Sequence, residues 1–157
     1  RNMFHNMSNL TVLDLPNFNT SKVVRMDYMF SGMSNLTTLN LSNFDTSKVM
    51  DMGYMFADMS SLTALDLSNF DTSKVKGMYR MFSLEDKDIL KDKLEKIYVN
   101  NDFDTTKLTN FSDMFRNRKK LRGGNGSYLS DPTTADKSWL RIDDPANGRP
   151  GYSTRKP

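Results

Sequence analysis

The sequence predicts an α/β repeat solenoid of about 26 residues per coil, with short parallel strands on one face, short helices or 3-10 segments on the other, and a C-terminal cap. Three observations predict it. One phrase is written three times almost unchanged, as LTVLDLPNFNTSKVVRMDYMF, LTTLNLSNFDTSKVMDMGYMF and LTALDLSNFDTSKVKGMYRMF. Its apolar positions fall in columns: Phe18 with Phe44 and Phe70, Val23 with Val49 and Val75, Phe30 with Phe56 and Phe82. A fourth copy resumes at Leu94 after an interruption, and its FDTTKLTNFSDMF keeps the columns through Phe103, Leu108, Phe111 and Phe115. Self-similarity at a fixed period buries its core between neighbouring coils rather than around one centre.

Each coil opens on L-x-x-L-x-L. Leu39 and Leu41 alternate as strand residues do, which places Thr38, Asn40 and Ser42 on the opposite face. Phe44 then turns inward, and Asp45, Thr46 and Ser47 are residues that favour turns and helix N-caps. Val49, Met52, Met55, Phe56 and Met59 make the stripe of a short helix, for which a 3-10 segment is the alternative. Met7, Met33 and Met59 form a further core column.

The stretch SLEDKDILKDK is read as an insertion over about 83–93 that leaves Leu94, Ile97 and Val99 in strand register. It predicts a longer helix or loop bulging from the stack, with Leu84, Ile89 and Leu90 as its inward contacts. The repeats occupy 1–122 and a capping segment 123–157, with GGNG at Gly123 to Gly126 as the tight turn between them. The chain opens in mid-phrase at RNMFHNM, so an upstream coil is expected, and the first coil present is expected to fray or to be where otherwise monomeric copies associate.

Composition narrows the chemistry. Cysteine is absent and His5 is the single histidine, which removes disulfides, thiolate metal sites and histidine-based metal sites. A net charge of +3 is too small to argue for nucleic acid as a partner, and no apolar run is long enough to insert in a membrane. The repeated Asp45, Asp71 and Asp104 read as turn acceptors rather than catalytic carboxylates, and the strand column Asp14, Asn40, Asp66 lacks the Gly-punctuated loop of a calcium site. His5 has no serine or acid partner at a recognisable spacing and reads as a surface residue. No catalytic residue, cofactor site or metal site is predicted, and the chain is expected not to be an enzyme.

Two groups remain as candidate ligand-binding residues. The run RNRKKLR sets Arg116, Arg118, Lys119, Lys120 and Arg122 close together, a positive patch suited to anionic glycans. The exposed strand rows are small and polar until the fourth copy brings Lys96 and Tyr98 beside Asp66.

The phrase LSNFDTSKV followed by Met-Phe and Met resembles the BspA-like leucine-rich-repeat family of bacterial surface proteins, over roughly Arg1 to Leu121. Where that family often carries Cys near the end of the phrase, this chain has Met33 and Met59. The tail, GGNG followed by WLRIDDPANGRPGYST, is similar to segments that close such arrays in lactic-acid and related Gram-positive bacteria, and implies that Trp139, Leu140, Ile142 and Tyr152 cover the last coil. The resemblance implies a non-catalytic, secreted or wall-anchored adhesion module that binds a host or extracellular-matrix protein or glycan. A structural stalk is the alternative it leaves, and a glycan-processing enzyme a remote one.

Overall fold

The computed structural model describes residues 3–157; Arg1 and Asn2, where the mid-phrase opening begins, lie outside them. Each L-x-x-L-x-L contributes one short strand: β1 is Val12–Asp14, β2 Thr38–Asn40, β3 Ala64–Asp66 and β4 Lys96–Val99. The tail adds β5, Ser153–Arg155. These strands pair in parallel, Leu13 opposite Leu39, Leu65 opposite Ile97, and Tyr98 opposite Thr154. The order is β1-β2 and, separately, β3-β4-β5. β2 and β3, although they come from consecutive copies, do not pair.

The segment after each strand differs from the helix that the Met and Phe stripe predicts. Residues 53–58 form turns, and the same holds in the neighbouring copies. The cause is a pair of left-handed residues in the turn, of which the copy interrupted by the insertion keeps only the first. Tyr28, Tyr54, Arg80 and Asp113 have φ of 62°, 57°, 52° and 58°, and Asn6, Gly32, Asp58 and Asn117 have φ of 60°, 79°, 60° and 65°. No right-handed helix or 3-10 segment passes through such residues. Gly, Asn and Asp at the second position are the types that tolerate the conformation. At Gly32 a side chain has no room either, because a Cβ would collide with Asn6 Oδ1.

The turns satisfy their backbone in alternation. The N–H groups of Met55 and Ala57 donate back to Met52 and Tyr54, while those of Met52, Tyr54, Phe56 and Asp58 donate to Gly77, Tyr79, Met81 and Ser83 of the next copy at 2.8–2.9 Å. This second ladder runs through all four copies, including the Phe82 to Met114 step across the insertion. It holds copies two and three together where the strands do not pair.

Between the two ladders lies the core. Phe4, Phe30, Phe56, Phe82 and Phe115 stack with centroids 5.2–5.9 Å apart and planes within 10°. Tyr152 of the tail lies on Phe115 at 4.8 Å, with Trp139 behind it at 4.9 Å and Leu140 buried. Met33 and Met59 are buried, whereas Met7 is 42 % exposed, because among the described residues no copy packs against the outer side of the first. Phe44 is buried and Phe70 is only partly so.

The Asp-Thr-Ser motif explains itself here. Asp45, Asp71 and Asp104 each accept the N–H of the residue two positions on. The buried Thr20, Thr46 and Thr72 hydroxyls donate to the carbonyls of those same aspartates in the next copy. Asn43 and Asn69 reach back in the same way, Asn69 Nδ2 donating to the Leu41 and Phe44 carbonyls at 3.0 and 2.7 Å.

The insertion leaves the stack at Leu84, the place of the second left-handed residue, and contains a 3-10 segment, Asp86–Lys91. Of its expected inward contacts, Leu84 is buried and Ile89 partly buried, but Leu90 is 97 % exposed. A 3-10 turn this short has one side against the body, and Leu90 falls on the other. The segment is anchored by polar groups instead: Arg116 and Asn117 donate to the Asp86 carboxylate.

Candidate functional site: the opening between strands two and three

Where β2 and β3 fail to pair, the strand face opens into two adjoining hollows of about 380 Å³ each. Leu39, Leu62, Ala64 and Tyr98 supply an apolar lining. Asp66 and Lys156 border both hollows and supply the charge. Each is placed by its element: Asp66 ends β3, Tyr98 lies opposite it in register on β4, and Lys156 comes directly after β5 with its N–H donating to the Val99 carbonyl.

Lys156 Nζ lies 2.8 Å from Asp66 Oδ2, and the Ser68 N–H donates to Oδ1 at 2.9 Å. Burial pushes the Asp66 carboxyl up, but Lys156 and Ser68 outweigh it and hold it below the usual carboxylate range. The opening therefore presents the Asp66 carboxylate paired with the Lys156 side chain, next to the half-buried Tyr98. This can orient a polar ligand by hydrogen bonds while Tyr98 and the leucines cover an apolar part.

The other sequence-predicted residues are dispersed. Lys96 Nζ donates to the Arg122 and Gly123 carbonyls at 3.3 and 2.9 Å, so it locks the turn behind β4 rather than facing the opening. The basic run is not one patch. Arg118 is 1 % exposed, with its guanidinium donating to Asp92 and to the Phe82 and Met59 carbonyls. It is corrected from a surface contact to a core residue; the chain re-enters beneath the insertion there, and the freed carbonyls need a multivalent donor. Arg116 pairs with Asp86 at 3.2 Å, and Arg122 lies 3.9 Å over the Tyr128 ring. Of the five, Lys119 and Lys120 alone remain exposed.

Sequence reasoning missed Lys156 and the opening itself. Its only trace is Asn69, whose amide occupies the carbonyls after β2, and that trace is not distinctive beside Asn17 and Asn43. A further hollow of about 510 Å³ lies beside the insertion, where Asp58, Glu85 and Asp88 share the lining with Lys87, Lys91 and Lys93. Its lining residues are all polar, charged or glycine. Among the described residues no three His, Cys, Asp or Glu converge as metal ligands, and no helix is long and apolar enough to cross a membrane.

Residues 1–122 match the family described as Mycoplasma protein of unknown function, DUF285. The chain belongs to that family. The DUF285 match takes in all four copies and the insertion and stops at the GGNG turn, so Asp66 and Tyr98 lie inside it and Lys156 outside. No curated protein and no solved structure matches.

Proposed function

We propose that the four copies are coils of a leucine-rich-repeat-like solenoid of the BspA type, and that the chain is a non-catalytic recognition module of a bacterial surface protein. Its ligand is a host or matrix protein or glycan, held at the opening between β2 and β3. One observation carries the reading: a break in an otherwise regular strand face brings Asp66, Tyr98 and Lys156 around a hollow with an apolar floor. The repeated aspartates support the non-catalytic side, since Asp45, Asp71 and Asp104 are each occupied by their own turn.

The experiment is a glycan and matrix-protein array probed with the chain and with Tyr98→Ala and Lys156→Gln. Binding by the chain that both variants lose, with unchanged melting, supports the opening as the site. Binding that neither variant changes overturns it. A spacer role is favoured by the exposed strand residues Val12, Thr38 and Ala64, which are small or singly apolar, and silence across the whole array would decide for the spacer.

A further inference from the structure

A second, independent surface is written into the turn after each strand. The Val23, Val49 and Val75 N–H groups donate to the Thr20, Thr46 and Thr72 carbonyls, and the Leu108 N–H to Thr105, at 2.9–3.1 Å. Four β-turns of the same hydrogen-bonding result, with lysine at the third position of each: Lys22, Lys48, Lys74 and Lys107. All four are exposed, and among the described residues none has a salt bridge.

Adjacent turns are joined by the threonine hydrogen bonds, so the lysines follow one another in a row at roughly the 4.8 Å spacing of hydrogen-bonded neighbours. The row is rigid at its base. Each turn rests on the buried threonine ladder beneath it, with Thr20, Thr46 and Thr72 bonded across to the next copy on both donor and acceptor sides for the first two. The tail prolongs the row: Lys137 Nζ donates to the Thr105 and Leu108 carbonyls at 3.2 and 3.5 Å, beside the last turn.

One border of the row is acidic, because Asp45, Asp71 and Asp104 precede the lysines. Those carboxylates each accept the N–H of the residue two positions on, and the hydroxyl and N–H of Ser47 hold the Asp45 carboxyl below the usual range. The other border, beyond the valine column, carries Val24, Met50, Lys76 and Thr109, all exposed. An anionic chain laid along the row therefore meets cations and an open border on one side and is repelled from the other.

We infer that the lysine row of Lys22, Lys48, Lys74 and Lys107 is a binding strip for a linear sulfated polysaccharide lying along the stack. A periodic line of point charges with a fixed spacing complements a polymer that carries charge along its length, not a single small anion. Single-stranded nucleic acid is disfavoured because no aromatic side chain stands in the row to stack a base.

The test uses immobilised heparin, with neutral dextran, phosphatidylglycerol vesicles and oligo(dT) as comparison probes. Lys48→Gln with Lys74→Gln should weaken heparin binding about tenfold at 50 mM salt, and the residual binding should vanish above physiological salt. Lys119→Gln with Lys120→Gln should change it less than about threefold, and Tyr98→Ala, at the strand opening, should not change it at all. Equal losses from the two lysine pairs would overturn the row as the site, and tighter binding to vesicles or oligo(dT) than to heparin would overturn the polysaccharide. Melting of both double variants should match the parent chain, since the substituted side chains are exposed.

Discussion

The Arg118 guanidinium donates to the Asp92 carboxylate at 3.0 Å, with both side chains at most 2 % exposed. Asp92 also accepts the Leu94 and Lys120 N–H groups, at 3.2 and 3.4 Å. The pair pins the end of the insertion to the last copy and lets Arg118 reach the Phe82 and Met59 carbonyls of two earlier ones. Burial pushes the guanidinium pKa down against the pull of Asp92, yet it stays the charged partner of a buried ion pair.

Removing one partner leaves the other charged and unpaired, so Arg118→Ala should cost about 3–5 kcal/mol in urea denaturation. Arg118→Met combined with Asp92→Leu should recover more than half of that loss. A single-variant cost under about 1 kcal/mol would show that solvent, not Asp92, satisfies the guanidinium.

Phe56 sits in the middle of the ring stack, 1 % exposed, between Phe30 and Phe82. Phe56→Ala should cost about 3–5 kcal/mol, as aromatic truncations in cores do. Phe44→Ala should approach that value, while Phe70→Ala, whose ring is only partly buried, should cost less. Thermal melts of the three variants give the order directly.

Asp58 holds φ of 60° and accepts the Glu85 N–H at 2.8 Å. Burial raises its carboxyl pKa, with Glu85 and Asp88 nearby adding repulsion. An acid whose folded pKa is raised destabilises the fold as pH rises from its ordinary value of 3.8 through the folded one. Asp58→Asn keeps the left-handed preference and the acceptor without the charge, so it should add a few tenths to about 1 kcal/mol at pH 7 and flatten that part of the pH profile. Asp58→Val should destabilise at every pH, because a β-branched residue resists the conformation.

Asp143 is the hub of the tail. It accepts N–H groups from Asn125, Ser127 and Gly151, which ties the GGNG turn to the approach of β5. Gly123 fits there only without a side chain, since a Cβ would collide with the Gly151 carbonyl and the Asp143 carboxylate. Burial opposes ionisation of Asp143, but these donors outweigh it and depress its pKa. Stability from this group is therefore present above 3.8 and lost as pH falls further through the folded value. Asp143→Asn should cost about 1–3 kcal/mol at neutral pH. Trp139, the single tryptophan, reports the event as a red shift of its emission.

How much of this was legible depends on the range over which each residue acts. Leu39 and Leu65 mark their strands because period-two alternation is a local property. Asp45, Asp71 and Asp104 are legible as turn acceptors because their partners lie two residues away. The Met and Phe stripe misleads because residues at helical spacing also face one way in a chain of tight turns; the corrective signal is the Asn6, Gly32, Asp58, Asn117 column, which marks a left-handed position. The opening beside Asp66 was not legible, since an unpaired strand edge depends on how two copies settle against each other. Arg118 inside the run RNRKKLR reads as one cation among five, and only the return of the chain under the insertion singles it out.

The turn ladder has a direction. Phe4, Phe30, Phe56 and Phe82 all donate their N–H toward the next copy along the chain, never toward the one before. The polarity belongs to the turns, whose donors aim toward the last copy and acceptors toward the first; Met50, Lys76 and Asn110, beside them, donate to the copy before. Two molecules related by a twofold axis would set like groups against like, whereas head-to-tail contact would match them and, being heterologous, would not close. Tyr152 over Phe115 and β5 beside β4 stand at the donor extremity. Residues 123–157 therefore occupy the face toward which the turns donate, and a chain cut at the GGNG turn would leave Phe115 and β4 without that cover.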